Sequence, residues 1–292
     1  MTPAKALPFP AFATFLRLGR VSNLPTVWTN VLAAAVLAGA DPFTGESILV
    51  MLAMTLYYIG GMYLNDAFDY RLDAIERPER PIPSGAISRQ WVFAAGFALL
   101  AMGLALMIQR GPPAGLVGLA LAAAIVLYDI HHKGNPLSPI VMGSCRALVY
   151  VGTGLALSQH ISILVLVGAL GVLTHVAGLT YAAREERLDR IERLWPLILL
   201  ALPLLLSGAA LTAGAIGAGA WGVLVTVEAF AVATLMRRGA PGRVRRAVAT
   251  LIAAISLVDA AFAGAAAAPL AVLLCACGFP LTLLAQRAIP GT

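Results

Sequence analysis

Charge is what this sequence has least of. Of its 292 residues, 12% are Asp, Glu, Lys or Arg, about half the share found in soluble domains. Hydrophobic residues make up 60%, and the mean hydropathy is +0.87. Such a chain cannot cover a folded surface with polar groups in water. A soluble globular protein is therefore excluded, and an all-α integral membrane protein is implied. Cysteine is scarce too: Cys145, Cys275 and Cys277 all lie in apolar runs. They give no disulfide framework. Cys275-Ala-Cys277 has no neighbouring His or acid and reads as buried helix cysteines rather than a metal pair. No basic stretch is interleaved with aromatics, so the net charge of +6 implies no nucleic-acid partner and bears instead on orientation. The sequence also lacks a long low-complexity tail, an internal repeat and any segment polar enough for a second domain, so a single domain over 1–292 is expected. The N-terminus carries Lys5, Arg17 and Arg20 without a cleavage pattern before a polar domain, so the first apolar run reads as a retained helix.

Long apolar runs are what the sequence does have. They predict helices near 24–40, 48–66, 91–109, 114–130, 139–158, 161–182, 195–213, 219–236, 247–263 and 267–286. Gly264 to Pro269 separates the last two weakly, so nine and ten spans are both open. The 28 glycines suit close helix packing. With ten spans and a cytoplasmic N-terminus, 19 of the 20 Lys and Arg residues fall on the cytoplasmic side, Arg110 being the exception. Lys/Arg bias sets topology. The expected setting is a plasma membrane of bacterial inner-membrane type, with the N-terminus and motif loops cytoplasmic. Nine of the 14 acids lie in the loops after the second and sixth spans. A bundle that joins those two helix ends would form one acidic mouth.

The densest polar stretch is Asn65-Asp66-Ala67-Phe68-Asp69-Tyr70-Arg71-Leu72-Asp73, followed by Arg77-Pro78-Glu79-Arg80-Pro81-Ile82-Pro83-Ser84-Gly85. It reads as a membrane helix running into water. Asp66, Asp69 and Asp73 stand at i, i+3 and i+7, one helix face. Carboxylates that close repel one another unless a cation neutralises them. Pro78 and Pro81 stop the helix, and the stiff loop holds Arg77 and Arg80 beside the acids. Guanidinium suits phosphate geometry. Acids that can hold a divalent cation, beside arginines that can hold phosphate, suggest a diphosphate site rather than a solvated charge run. A second set is Tyr181-Ala-Ala-Arg184-Glu185-Glu186-Arg187-Leu188-Asp189, with Glu185 and Asp189 at i and i+4. Alone it reads as an amphipathic cytoplasmic helix; beside the first motif it becomes a second set of metal ligands.

Tyr128-Asp129-Ile-His131-His132-Lys133-Gly-Asn135-Pro136 could supply cations to the same mouth, Lys133 above all. Adjacent His131 and His132 point apart on a helix and make a poor metal pair. Arg146 lies inside a span, where a charge usually faces the bundle interior; a substrate phosphate and Asp129 are both candidate partners. Asn23 and Asn30 suit helix packing or a cavity wall. Glu228 and Asp259 are expected inside the bundle, with no role assigned.

Together these residues resemble the UbiA superfamily of intramembrane aromatic and lipid prenyltransferases, over essentially the whole chain. The resemblance rests chiefly on Asn65-Asp66-x-x-Asp69-x-x-x-Asp73 and the Arg77-Pro78-x-Arg80-Pro81 loop. The second motif, Glu185-x-x-x-Asp189 after Arg184, departs from the commoner Asp-x-x-x-Asp. It is similar to the Arg-Glu form of the branch that prenylates geranylgeranylglyceryl phosphate, and of UbiA-like proteins of the EboC type. The usual Lys-Arg pair after the fourth helix is represented by Lys133 alone.

The resemblance implies nine helices around a central cavity. It also implies Mg²⁺-dependent transfer of a prenyl group from an allylic prenyl diphosphate to an aromatic or lipid acceptor, with membrane lipid around the site. Asp66, Asp69, Asp73, Glu185 and Asp189 are then the catalytic candidates. Asn65, Asp66 and Asp69 would hold one Mg²⁺, and Glu185 and Asp189 another. Asn23, Asn65, Arg77, Arg80, Lys133, Arg146 and Tyr181 are the substrate-binding candidates. A carrier that keeps the scaffold and binds a lipid intermediate without turnover is the alternative. A soluble-type prenyl diphosphate synthase is excluded by the apolar character of the chain.

Overall fold

A computed structural model of the chain describes residues 12–184, 194–237, 242–289 and 291. Among these the secondary structure is helical, with no strand. The helices are α1 (Phe12–Leu18), α2 (Leu24–Leu37), α3 (Gly45–Glu76), α4 (Arg89–Gln109), α5 (Pro112–His131), α6 (Ser138–Ser158), α7 (Ile163–Arg184), α8 (Pro196–Leu206), α9 (Ala215–Met236), α10 (Arg243–Ala265) and α11 (Pro269–Ala288). Eight are long and apolar enough to cross a bilayer, while Val21–Leu37 and Pro196–Leu206 are apolar but shorter. The protein is an integral membrane helix bundle.

Local chemistry sets the ends. The Thr44 hydroxyl accepts from the Ser47 amide and starts α3. Hydrogen bonding then carries α3 through 32 residues, about 48 Å of helix, against a hydrocarbon layer of about 30 Å. The apolar pattern alone ends near residue 66, because hydropathy marks the membrane-embedded part only. The remaining turns lift the acidic face out at the membrane edge, and Pro78 ends the helix. The expected span 195–213 is helical only to Leu206. Pro203 removes one backbone donor inside α8, and a 3₁₀ turn at Gly208–Leu211 follows. The weak break before Pro269 is a true one, with Ala267 in the left-handed region at φ 53°. Residues two apart on a helix point to opposite sides, so Cys275 is buried but Cys277 is exposed, contrary to the expectation that both are inside.

α10 is the most buried helix and packs against α2, α7, α9 and α11. Small residues allow α3 and α4 to touch: a Cβ on Gly60 would stand 2.9 Å from the carbonyl oxygen of Gly96. Two polar clusters tie the interior together. Asp259, fully buried, accepts from Thr29 Oγ1 at 2.6 Å, Asn30 Nδ2 at 2.9 Å and Tyr150 Oη at 2.5 Å. His175 lies 2.9 Å from Glu228 Oε1 through Nδ1 and 2.9 Å from the Leu251 carbonyl through Nε2, joining α7, α9 and α10. Glu228 and Asp259 are thus helix ties, because a buried carboxylate in apolar surroundings must find donors.

Candidate functional site

The C-terminal part of α3 carries the first motif. At 100° per residue, Asp66 and Asp73 are nearly aligned and Asp69 stands about 60° to one side. The ion pairs follow that offset. Arg80 Nη1 spans Asp66 Oδ1 at 3.3 Å and Asp73 Oδ2 at 2.7 Å. Asp69 instead meets the loop after α5, with Lys133 Nζ at 2.6 Å and His132 Nε2 at 3.4 Å. Burial disfavours charge on His132, but its hydrogen bond to Asp69 and the Asp69 charge outweigh this and hold its pKa above the usual histidine value.

Arg20 completes the set. It sits between α1 and α2 in a left-handed conformation, φ 42°, with its carbonyl held by the Tyr58 hydroxyl at 3.2 Å. Its Nη2 donates to Asp66 Oδ1 at 3.1 Å and to Asn65 Oδ1 at 3.3 Å. A backbone conformation that L-residues rarely adopt is retained where the surroundings hold it, often at functional sites. Asn65 Nδ2 in turn donates to Asp129 Oδ1 at 3.0 Å.

α3 and α7 are joined through the loop after α5. Tyr181 Oη donates to the Pro136 carbonyl at 2.9 Å. Arg184 donates to the carbonyls of His132 and Asn135 and to the Ser138 hydroxyl. The chain entering the second acidic motif therefore leaves from beside Lys133. Glu185 and Asp189 themselves lie outside the described residues. Among the described residues no three His, Cys, Asp or Glu side chains form a ready metal cluster. Asn65, Asp66 and Asp69 offer only oxygen donors, the chemistry Mg²⁺ prefers; those residues fit the ion, in exchange for their present cationic partners.

Two cavities are lined in part by α3. One, of about 560 Å³, is lined by Arg17, Arg20, Arg77, Arg80, Arg245 and Arg287, with Asp66 and Glu79 as the acids among its lining residues. Of those arginines, Arg20 and Arg80 form ion pairs among the described residues. Arg77, expected beside the acids, lines this cavity without one. The other, of about 90 Å³, lies between α2, α3, α5 and α6 and is lined chiefly by apolar groups such as Val27, Met54, Leu121, Ile125 and Val149, with Asp129 and Arg146 also in its wall. Arg146 does not pair with Asp129: it donates to Asn30 Oδ1 at 2.8 Å and to the carbonyl and hydroxyl of Thr26 at 3.3 and 3.1 Å. Asn23 is also engaged, with Gln286 Nε2 at 2.9 Å and the Gly291 carbonyl at 3.1 Å. In the sequence Arg17, Arg20, Arg245 and Arg287 bear only on topology, as members of the one-sided Lys/Arg distribution. The folded chain gathers them from both ends, and their expected placement on one side of the membrane is the one signal in the sequence that links them.

A helical membrane bundle with an acid- and arginine-rich mouth above an apolar cavity defines the class. The UbiA prenyltransferase family model matches residues 25–241, and the chain belongs to that family. Digeranylgeranylglyceryl phosphate synthase of Thermococcus kodakarensis is 31% identical over 176 residues, 60% of this chain and 61% of that protein. The protein of the same name from Methanoregula boonei is 39% identical over 122 residues, 42% of this chain and 43% of its own. The chain thus spans less than two thirds of the length of the relatives it matches. In fold it is similar to a solved structure concerned with digeranylgeranylglyceryl phosphate synthase in membranes (TM-score 0.65, 22% identity, 87% of this chain and 98% of that one). It is also similar to a UbiA homologue from Archaeoglobus fulgidus bound to GPP and Mg²⁺ (TM-score 0.54, 15% identity, 86% and 99%).

Proposed function

We propose that this protein transfers a prenyl group from an allylic prenyl diphosphate to the hydroxyl of a lipid acceptor of the prenylated glyceryl phosphate class. The observation that carries the reading is an arginine-lined cavity with Asp66 in its wall and a mostly apolar one with Asp129 in its wall, linked through Asn65, which bonds Asp129 and shares Arg20 with Asp66. An amphiphilic diphosphate can lay its head in the first and the allylic start of its tail against the second, with the rest of the tail among the membrane-facing helices. The family membership and the relatives' names support the reaction and the acceptor class.

Asn65, Asp66 and Asp69 would hold Mg²⁺, with Glu185 and Asp189 as the second set. The bound ion would supply charge neutralisation at the diphosphate oxygens. Arg20, Arg77, Arg80 and Lys133 add fixed positive charge where negative charge collects on the leaving group. Asp73 acts through Arg80, holding it across the face of α3. The apolar walls exclude water from the allylic centre. In the transfer, the allylic C–O bond breaks with its electron pair leaving on diphosphate, an ether C–O bond forms, and the acceptor's hydroxyl proton is released to solvent. We infer from the Lys/Arg distribution that the mouth faces the cytoplasm.

The test is diphosphate release by the purified protein in lipid nanodiscs, given geranylgeranyl diphosphate and geranylgeranylglyceryl phosphate, with Mg²⁺ or with chelator. Stoichiometric diphosphate and a product heavier by one geranylgeranyl group are expected with Mg²⁺ alone. Binding of both lipids without diphosphate release would establish the carrier reading instead.

A further inference from the structure

We propose that Asp129 is the residue that recognises the acceptor's hydroxyl; this rests on the transfer reading above and adds to it the group that selects the nucleophile. Asp129 lies in the last turn of α5 and is 5% exposed. Its Oδ1 is used by Asn65 Nδ2 at 3.0 Å. Its Oδ2 is buried and has no hydrogen-bond partner among the described residues. Buried carboxylate oxygens are normally satisfied, since leaving one without a donor costs free energy.

The nearby cations are committed elsewhere. Lys133 and His132 meet Asp69 through their side chains, and Arg146 meets Asn30 and Thr26. Asp129 lines the smaller cavity, whose wall is mostly apolar and also holds Tyr57, Tyr58, Tyr128 and Arg146; of these side chains Asp129 alone is a carboxylate.

Such an oxygen accepts a hydrogen bond and repels an anion. It therefore suits an O–H group and not the diphosphate, whose charge matches the arginine-lined cavity. The position also suits a nucleophile. Asn65 bonds Asp129 through one end of its amide and Arg20 through the other, and Arg20 pairs with Asp66. A hydroxyl on Asp129 would stand beside the donor's head group, and proximity of that kind lowers the barrier to transfer.

The experiment compares equilibrium binding of geranylgeranylglyceryl phosphate with that of its deoxy analogue, which lacks the free hydroxyl, to the full chain in nanodiscs without donor. The parent is expected to prefer the hydroxyl compound by about tenfold, the effect of one well-made hydrogen bond to a charged group. In Asp129→Asn, Asn65 still finds an acceptor, but an amide NH₂ takes the place of the open oxygen. The preference should fall to about unity, while affinity for geranylgeranyl diphosphate stays within about twofold. Asp129→Ala, checked for insertion and monodispersity, should lose the preference too. Equal binding of both probes by the parent, or a preference retained in Asp129→Asn, overturns the proposal. So does a parallel loss of diphosphate affinity, which would assign Asp129 to the donor site. A parent that prefers the hydroxyl probe yet releases no diphosphate sinks the transfer reading and leaves this one standing.

Discussion

Asp69 and Asp259 are both carboxylates within long helices, and they are held in opposite ways. Asp69 meets basic partners, Lys133 and His132, at an edge where it keeps some exposure. Asp259 has no exposure and is met by neutral donors on fixed elements, Thr29 and Asn30 from α2 and Tyr150 from α6. The first arrangement is one that the proposed reaction could exchange, a metal ion taking the place of Lys133 on Asp69 and the lysine turning to phosphate. The second cannot, because each released donor would be left in an apolar interior. Asp69 is thus held by partners that can be exchanged, and Asp259 by neutral donors that satisfy both its oxygens and tie α2, α6 and α10 together.

The largest effect that tests this contrast is on turnover. Asp66→Ala or Asp69→Ala is expected to lower Mg²⁺-dependent diphosphate release at least about a hundredfold, with insertion and thermal stability nearly unchanged. Unfolded or aggregated variants at either position would place these acids with the architecture instead. Asp259→Ala should do the reverse. Freeing three buried donors is expected to remove about 3 kcal/mol of stability, read as a lower melting temperature in detergent. The surviving folded fraction should keep most of its specific activity. Normal stability with lost activity would break the comparison.

That contrast was only partly legible in the sequence. The spacing of Asp66, Asp69 and Asp73, with Arg80 seven residues beyond the last, gave the exchangeable site, because a helix face and a proline stop are local features. Asp259 and Glu228 could be placed inside the bundle from hydropathy. Their partners could not be named, since Thr29 and Tyr150 are distant in sequence and ordinary in type. Arg20 and Arg287 escaped for the same reason: each is one charge at a helix end until the two ends of the chain meet. Asp129 was hidden by its neighbours, since His132 and Lys133 carry the more obvious chemistry. The apolar run of α3 ends near residue 66, but the spacing of its acids and the stop at Pro78 carry the helix to its observed end at Glu76.

Lys133→Ala should have an intermediate effect. Removing the 2.6 Å partner of Asp69 leaves that acid to the metal but takes one positive charge from the diphosphate. An increase of about tenfold in KM for prenyl diphosphate is expected, with KM for the acceptor unchanged. A matching rise for both substrates would mean that the loop after α5 had lost its shape.

The smallest expected effect separates contact from field within the arginine-lined cavity. Arg80 touches Asp66 and Asp73, whereas Arg245 and Arg287 are exposed and line the cavity from α10 and α11. Their influence on an incoming diphosphate is therefore through space and screened by salt, with a Debye length of about 10 Å at 0.1 M. Arg245→Ala and Arg287→Ala should each raise KM for prenyl diphosphate by about two- to threefold at low ionic strength, and the difference should vanish near 0.5 M salt. Arg80→Ala should lose more, and salt should not recover it, because its loss also frees two carboxylates on α3. If Arg287→Ala proves as damaging as Arg80→Ala at high salt, the far wall of the cavity touches the substrate directly, and the site is wider than the α3 face.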